Sequence, residues 1–209
     1  MANPTTFPGD VNIASNLYIG GDVSPRKAKE NILAVSELAV FTVPWTTWRT
    51  HSAFAAPLPA AATGEILGLV PGTHGTNYPC IQAGDVKGTT STRYARGVVY
   101  LPWNYIAGES VQLRFRAGCQ TNDCSTSCTL TITAYSSDGD NTVSAELYGG
   151  AAKDINLDDS FANQDFALTA TNLTAGQGID VQIAIAYNDG AAIEVIPTIS
   201  KVQLLCDVR

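Results

Sequence analysis

The chain has 209 residues, of which 45% are hydrophobic and 15% charged, and 19 acidic against 12 basic residues give it a formal net charge of −7. This length suits one β-domain with an appendage better than two independent domains. The negative charge repels nucleic acid phosphates and anionic lipid head groups, so no nucleic acid or membrane partner is expected. The low charge fraction predicts that part of the surface lies in contact with another chain.

The first residues of the chain bear on where it is made. They have neither the basic start nor the apolar run of a signal peptide, and no uninterrupted apolar stretch reaches about 18 residues. The sequence therefore predicts a protein made in a cytoplasm.

The most regular segment of the chain lies between residues 9 and 23, where Gly-Asp-Val occurs at both ends. Four apolar residues fall on odd positions within it: Val11, Ile13, Leu17 and Ile19. Period two is typical of a β-strand with one apolar face, and so short a segment cannot bury that face on itself. Either it pairs with an edge of its own domain, or it is a β-arm that docks on a neighbouring subunit.

A short helix is predicted over residues 26–35, with Ser24 placed to cap it and Pro25 in its first turn. Its basic beginning opposes the helix dipole, which keeps it short. We interpret it as a hinge, so that the arm and hinge occupy residues 1–37 and the body occupies residues 38–209.

The body alternates apolar and polar residues in segments separated by turns rich in Gly, Asp and Asn. Strands are predicted over residues 38–43, 93–101, 111–117, 129–134, 143–147, 166–170, 179–187 and 193–205. The proline- and glycine-rich stretch 55–92 is predicted to be mostly loop. About eight strands with no helix between them predict an all-β fold, an antiparallel two-sheet jelly-roll-like sandwich with an extended N-terminal β-arm.

The cysteines and histidines are the candidate metal ligands of the chain. Cys119, Cys124 and Cys128 lie close together in sequence, but their spacing is not that of paired zinc ligands and there is no second cluster. His51 and His74 are isolated from them and from each other. We expect free thiols or one local disulfide in this loop, and neither a metal nor a cofactor.

Catalysis finds little support in the sequence. There is no Gly-x-Ser-x-Gly elbow and no Cys-His motif, so a nucleophilic enzyme is not expected. A sandwich glycosidase is an alternative that needs two carboxylates about 5 to 10 Å apart in a groove. The candidate carboxylates all lie in turn-like sequence that favours simple solvation: Asp138, Asp140, Asp158, Asp159 and Glu194.

Three tryptophans are the candidates for ligand contact, since a sugar-binding sandwich needs an exposed aromatic platform. Trp45 and Trp48 are three residues apart, so on a strand they would face opposite ways. Core or interface packing is the expected use of Trp45, Trp48 and Trp103. Trp45 and Trp48 therefore join the four apolar arm residues as candidate partner-binding residues.

Several phrases of the body resemble a known family. They are Tyr94-Ala95-Arg96 leading to Leu101-Pro102, residues 105–113, residues 173–181 and the closing strand over 199–205. In these segments the body resembles the small jelly-roll virion proteins of tailed bacteriophages. This family includes the capsid decoration or cement proteins and related appendage proteins. The repeated Gly-Asp-Val and the alternation of the arm are similar to the trimeric leader segments of phage appendages.

The resemblance implies a virion structural protein made in the host cytoplasm, with no enzymatic activity. Its function would be capsid decoration, binding and stabilising the assembled capsid through the major capsid protein or another virion protein. A homo-oligomer, trimer or dimer, is expected because capsid subunits repeat around rotation axes. The alternative is a tail-fibre or appendage protein that binds a host glycan, which an exposed aromatic cluster at the tip of the sandwich would favour.

Overall fold

A computed structural model describes residues 37–52, 54–137, 142, 144–190 and 193–209. The arm and hinge, apart from Glu37, lie outside these residues, as do the predicted helix over 26–35 and the carboxylates Asp138 and Asp140. The arm residues Val11, Ile13, Leu17 and Ile19 and the proposed domain division therefore stay predictions.

The described residues form twelve β-strands and one 3-10 turn, Trp45–Thr47. The strands are β1 Glu37–Thr42, β2 Trp48–Arg49, β3 Gly68–Val70, β4 Cys80–Gln82, β5 Thr90–Tyr100, β6 Val111–Cys119, β7 Ser127–Ser137, β8 Glu146–Tyr148, β9 Lys153–Asp154, β10 Ser160–Ala167, β11 Gly178–Asn188 and β12 Pro197–Val208. Within the described part of the chain, no helix has the length and apolarity needed to span a bilayer.

Two six-stranded sheets make up the part of the body that the structure describes. Sheet A has the strand order β10-β6-β12-β4-β3, with β1 also paired to β12, and sheet B has the order β2-β5-β11-β7-β8, with β9 also paired to β7. All of these pairings are antiparallel. The predicted all-β, antiparallel two-sheet sandwich is confirmed for the body.

Strand β11 is the centre of sheet B, because it pairs along its whole length with β5 on one side and β7 on the other. Its odd-numbered residues are buried between the sheets: Ile179, Val181, Ile183, Ile185 and Tyr187. The intervening side chains, from Asp180 to Ala186, point to the outer face of sheet B. The alternation along β11 thus determines which of its side chains lie in the core and which lie on the outer face of sheet B.

The core between the sheets is organised around Phe115 of β6. Its ring lies 6.3 Å from that of Trp48 and 5.6 Å from that of Phe166, the second contact being edge-to-face. Trp48 is 1% exposed and pairs with Gly97 of β5. A Cβ on Gly97 would lie 2.9 Å from the Trp48 ring, so this position needs glycine to admit the indole.

The prediction that residues 55–92 are mostly loop is wrong in part. This stretch contains β3 and β4 as well as the start of β5, and Leu67 and Ile81 are fully buried within it. Three-residue strands are too short to show period-two alternation, and the surrounding prolines and glycines hide them further. The strand predicted over 166–170 also begins earlier, at Ser160.

The aromatic core makes a prediction for stability. Phe115→Ala should lower the free energy of unfolding by about 3 to 5 kcal/mol, because it removes a fully buried ring and leaves a cavity. Tyr78→Ala is the control, since Tyr78 is 79% exposed and its loss should change stability by less than about 0.5 kcal/mol. Urea unfolding of both variants measures the difference, and equal midpoints would contradict this description of the core.

Candidate ligand-binding site

The outer face of sheet B is a grid of three long strands. The flanking strand β5 presents Thr92, Tyr94, Arg96, Val98 and Tyr100; the central strand β11 presents Ala186, Ala184, Gln182, Asp180 and Gly178; and β7 presents Thr129, Thr131, Thr133, Tyr135 and Ser137. At the strand rise of about 3.3 Å per residue, this face is about 26 Å long. Two open clefts lie on this face, and we call the strip of surface along β11 that they border the groove.

One end of this groove carries two exposed aromatic rings. Trp103 is 88% exposed and Tyr100 is 67% exposed. They border an open cleft of about 310 Å³, which we call the aromatic cleft. Its other walls are Val98, Ser137, Gly178 at the start of β11, and the loop residues Thr174, Ala175, Gly176 and Gln177.

Trp103 is held by a well-bonded turn. The N–H of Tyr105 donates to the carbonyl of Pro102 at 3.1 Å, which closes a β-turn with Trp103 and Asn104 at its corners. The side-chain amide of Asn104 donates to the carbonyl of Arg209 at 2.9 Å. The turn is thus tied to the end of β12, and Trp103 projects from a fixed backbone.

The Trp103 ring packs closely against Gly176. The φ of +76° at Gly176 is one that glycine adopts without strain, and a Cβ there would lie 2.6 Å from the indole. The loop is joined to the end of β5 by two hydrogen bonds: the N–H of Gly176 donates to Leu101 O at 3.2 Å, and the N–H of Leu101 donates to Gln177 O at 3.0 Å. The close approach of ring and loop therefore depends on glycine at this position.

A second opening, the central cleft, lies further along the groove. It has a volume of about 510 Å³ and is lined by His51, Arg96, Thr133, Tyr135, Asp180 and Gln182. The His51 ring lies 4.7 Å from that of Tyr94 and is tilted by 52° against it. The lining combines hydrogen-bonding side chains with the rings of His51 and Tyr135, so the cleft offers partners to a polar ligand.

An ion pair crosses the central cleft. Arg96 Nε donates to Asp180 Oδ1 at 2.7 Å, and Arg96 Nη2 donates to Asp180 Oδ2. The Arg96 guanidinium also lies 5.5 Å from the centre of the Phe54 ring. Hydrogen bonding to Asp180 raises the pKa of Arg96 further above its already high value. The pair places opposite charges side by side within the groove.

The sequence-predicted tryptophans have three different environments. Trp103 is exposed in the aromatic cleft, whereas Trp48 is buried in the core and offers no surface to a partner. Trp45 is half-buried in the 3-10 turn, where it lines a cavity together with the exposed Tyr78. Trp48 is therefore corrected from a partner contact to a core residue, because its indole fills the space above Gly97.

Five groove residues are absent from the site residues predicted from the sequence: Tyr100, Arg96, Tyr135, Asp180 and Gln182. Alternation along β11 places Asp180 and Gln182 opposite the apolar stripe, but it does not by itself indicate a site. The signal that could have found all five was the outward set of alternate residues on β5, β7 and β11, which carries three tyrosines and an Arg/Asp pair on adjacent rows.

Three cysteines meet at the loop between β6 and β7. Cys119, Cys124 and Cys128 are all buried and reduced. Hydrogen bonding to Cys119 and burial raise the pKa of Cys128, and burial raises the pKa of Cys124 to about 11. Hydrogen bonding from Cys128 lowers the pKa of Cys119. Among the described residues, no group of three or more His, Cys, Asp or Glu side chains is arranged to hold a metal ion.

The carboxylates predicted as glycosidase candidates do not lie in the groove where the structure describes them. Asp158, Asp159 and Glu194 are exposed in loops away from both clefts. On the outer face of sheet B, Asp180 and Glu146 share a row, with Tyr135 of β7 between them. Asp180 is bound by Arg96 from the next row, and Glu146 lies on the far side of Tyr135, so the two carboxylates do not face each other as a pair.

An exposed apolar edge lies on sheet A, away from the groove. Leu38 is 60% exposed and Val40 is 52% exposed on β1. The N–H of Val43 donates to Val202 of β12 at 2.9 Å, so by alternation the backbone groups of Leu38 and Val40 point away from β12. Among the described strands, β1 pairs with β12 alone.

Comparison with known proteins gave matches only among solved structures, since no family model and no curated protein matches the chain. The xylan-binding module CBM15 matches with a TM-score of 0.44 and 12% identity, over 81% of this chain and 97% of that one. The CBM22-1 xylan-binding domain of Xyn10C from Paenibacillus barcinonensis matches with a TM-score of 0.39 and 10% identity, over 83% of this chain and 96% of that one. The enzymatically active domain of tailspike protein 4 from bacteriophage CBA120 matches with a TM-score of 0.36 and 11% identity, over 82% of this chain and 19% of that one. At these scores the comparisons assign no function to this chain.

The support beneath Trp103 can be tested by Gly176→Ala. The new methyl group should displace the indole, change its fluorescence and lower stability by about 1 to 2 kcal/mol, because φ is positive. Gly75→Ala is the matched control: Gly75 has a φ of +82° but no atom within 4 Å of a Cβ. The control should lose similar stability with unchanged fluorescence. Identical spectra for both variants would contradict the contact.

The buried cysteines make a second prediction. The thiols should react very slowly with Ellman's reagent at pH 8, because all five are buried. Burial also raises the pKa of Cys80, Cys124 and Cys206, which keeps those three thiols protonated. In urea all five thiols should react within minutes. Fast reaction of any thiol in the folded protein would contradict the packing described for it.

Proposed function

We propose that the chain is a non-catalytic glycan-binding module whose binding surface is the outer face of sheet B. The observation that carries this proposal is the pair of exposed rings, Trp103 and Tyr100, at the border of the aromatic cleft. Large rings this exposed on a protein surface favour a ligand that covers them. An exposed aromatic cluster at the end of the sandwich is also the feature that favours the glycan alternative over capsid decoration.

A sugar ring suits this cleft chemically. One face of a pyranose consists of C–H groups that pack on an aromatic ring, and its rim consists of hydroxyl groups that need hydrogen-bond partners. Ser137, Thr174 and Gln177 supply hydroxyl and amide groups beside the two rings. Such a surface matches a glycan better than it matches a wholly apolar ligand.

The biological setting that follows is a tail-fibre or appendage protein that recognises a host glycan. The proposal includes no hydrolysis, because the groove carboxylate Asp180 is bound by Arg96 and is not paired with a second acid. Incubation with a bound glycan should therefore release no reducing sugar.

A glycan array followed by calorimetry tests the proposal. Trp103→Ala and Tyr100→Ala should each weaken binding by about tenfold or more, which corresponds to about 1.4 kcal/mol. Tyr78→Ala is the control, because Tyr78 is similarly exposed but lies outside both clefts. Unchanged affinity in both cleft variants, or no binding to any glycan, would contradict the proposal.

A second candidate is capsid decoration, and the apolar β1 edge favours it. Exposed Leu38 and Val40, together with outward backbone groups, form a strand edge to which another chain can add a strand. Half-buried Trp45 and exposed Tyr78 lie beyond the end of β1, which is consistent with the predicted partner-binding role of Trp45. The partner would be the major capsid protein or another virion protein, with the chain itself a trimer or dimer.

Val40→Lys tests this second candidate. The charge should abolish co-sedimentation with assembled particles or dissociate an oligomer in analytical ultracentrifugation, because it places an ammonium group in the proposed contact. Ile193→Lys is the control, since Ile193 is 44% exposed in a loop away from β1. Unchanged sedimentation of the Val40 variant in both assays would exclude the β1 edge as the docking surface.

A further inference from the structure

The aromatic and central clefts are neighbours on one groove. Val98 lines the aromatic cleft and pairs in register with Asp180, which lines the central cleft. On β7, Ser137 belongs to the first cleft and Tyr135, two residues away, belongs to the second. The distance along β5 from Tyr100 to Arg96 is about 13 Å at the usual strand rise. A ligand that lies along β11 therefore meets both clefts in turn.

Two opposite charges are paired in the central cleft. Arg96 and Asp180 form an ion pair, and Thr133, Tyr135 and Gln182 add uncharged polar groups. A free arginine in a groove would select carboxylate or phosphate ligands. Paired with Asp180, it instead offers N–H donors beside carboxylate acceptors, a combination that suits neighbouring hydroxyl groups.

The central cleft is also held in place before any ligand arrives. Asp180 binds the guanidinium of Arg96 through two oxygens, and the Phe54 ring lies close to the same group. The His51 ring packs against the Tyr94 ring in a tilted contact. Since these side chains are already fixed, little conformational entropy is lost on binding, which favours affinity.

We infer that the central cleft is a second sugar subsite, so that the ligand is a linear, uncharged glycan bound along β11 across both clefts. This inference rests on the proposed function, because it extends the glycan-binding surface from the aromatic end to the middle of the sheet. It goes beyond that function in naming the class of ligand and the side chains that select it.

Chain length is the first measurement. Calorimetry with cello-, xylo- and manno-oligosaccharides of two to six units should show affinity rising by about tenfold or more once the ligand reaches both clefts. Gln182→Ala should reduce the affinity for the longest ligands and leave that for the shortest unchanged, whereas Tyr100→Ala should weaken both. Gln203→Ala, on sheet A, is the matched control and should change neither.

Charge selection is the second measurement. Asp180→Asn removes the countercharge of Arg96, so the variant should lose affinity for neutral chains and gain salt-sensitive affinity for oligogalacturonates. A wild-type preference for oligogalacturonates would overturn the inference. So would binding through the aromatic cleft with no dependence on length or on Gln182, although the proposed function would then stand. Binding to no glycan would overturn both.

Discussion

The pairing of β11 with β5 on one side and β7 on the other is the constraint on which the rest of the structure depends. Register along all eleven residues places every second β11 side chain between the sheets. The same register fixes which side chains share each row of the outer face. A slip of one residue would exchange the two sets and place Asp180 and Gln182 in the core. Core and groove are therefore two consequences of one strand alignment.

The position of the aromatic cleft follows from the ends of these strands. Strand β5 ends at Tyr100, and the turn after it carries Trp103 and is bonded to the end of β12. The loop before β11 returns to Leu101 through two backbone hydrogen bonds and leaves Gly176 against the indole. The positions of the exposed Tyr100 and Trp103 rings therefore follow from where β5 ends in sheet B.

The long strands were predictable from the sequence, because period-two alternation over eight or more residues is typical of a half-buried strand and not of a helix, as β6, β7 and β11 illustrate. Strands β3 and β4 were not, since they are too short to alternate. Trp103 was predictable only as a candidate, because its position depends on the turn that begins at Pro102 and on contact with Gly176, which is distant in sequence. The Arg96–Asp180 pair joins residues 84 positions apart, and only the strand register brings them together.

Two surfaces of different chemistry thus lie on one sandwich: a polar, aromatic groove on sheet B and an apolar edge on β1 of sheet A. The central claim is that the groove binds a glycan, and an NMR titration with a neutral hexasaccharide tests it most directly. Binding along the groove predicts shifts in the Trp103 indole N–H and in the backbone amides of Arg96 and Gln182, with the amides of β12 unchanged. Shifts confined to sheet A, or none at saturating ligand, would contradict it.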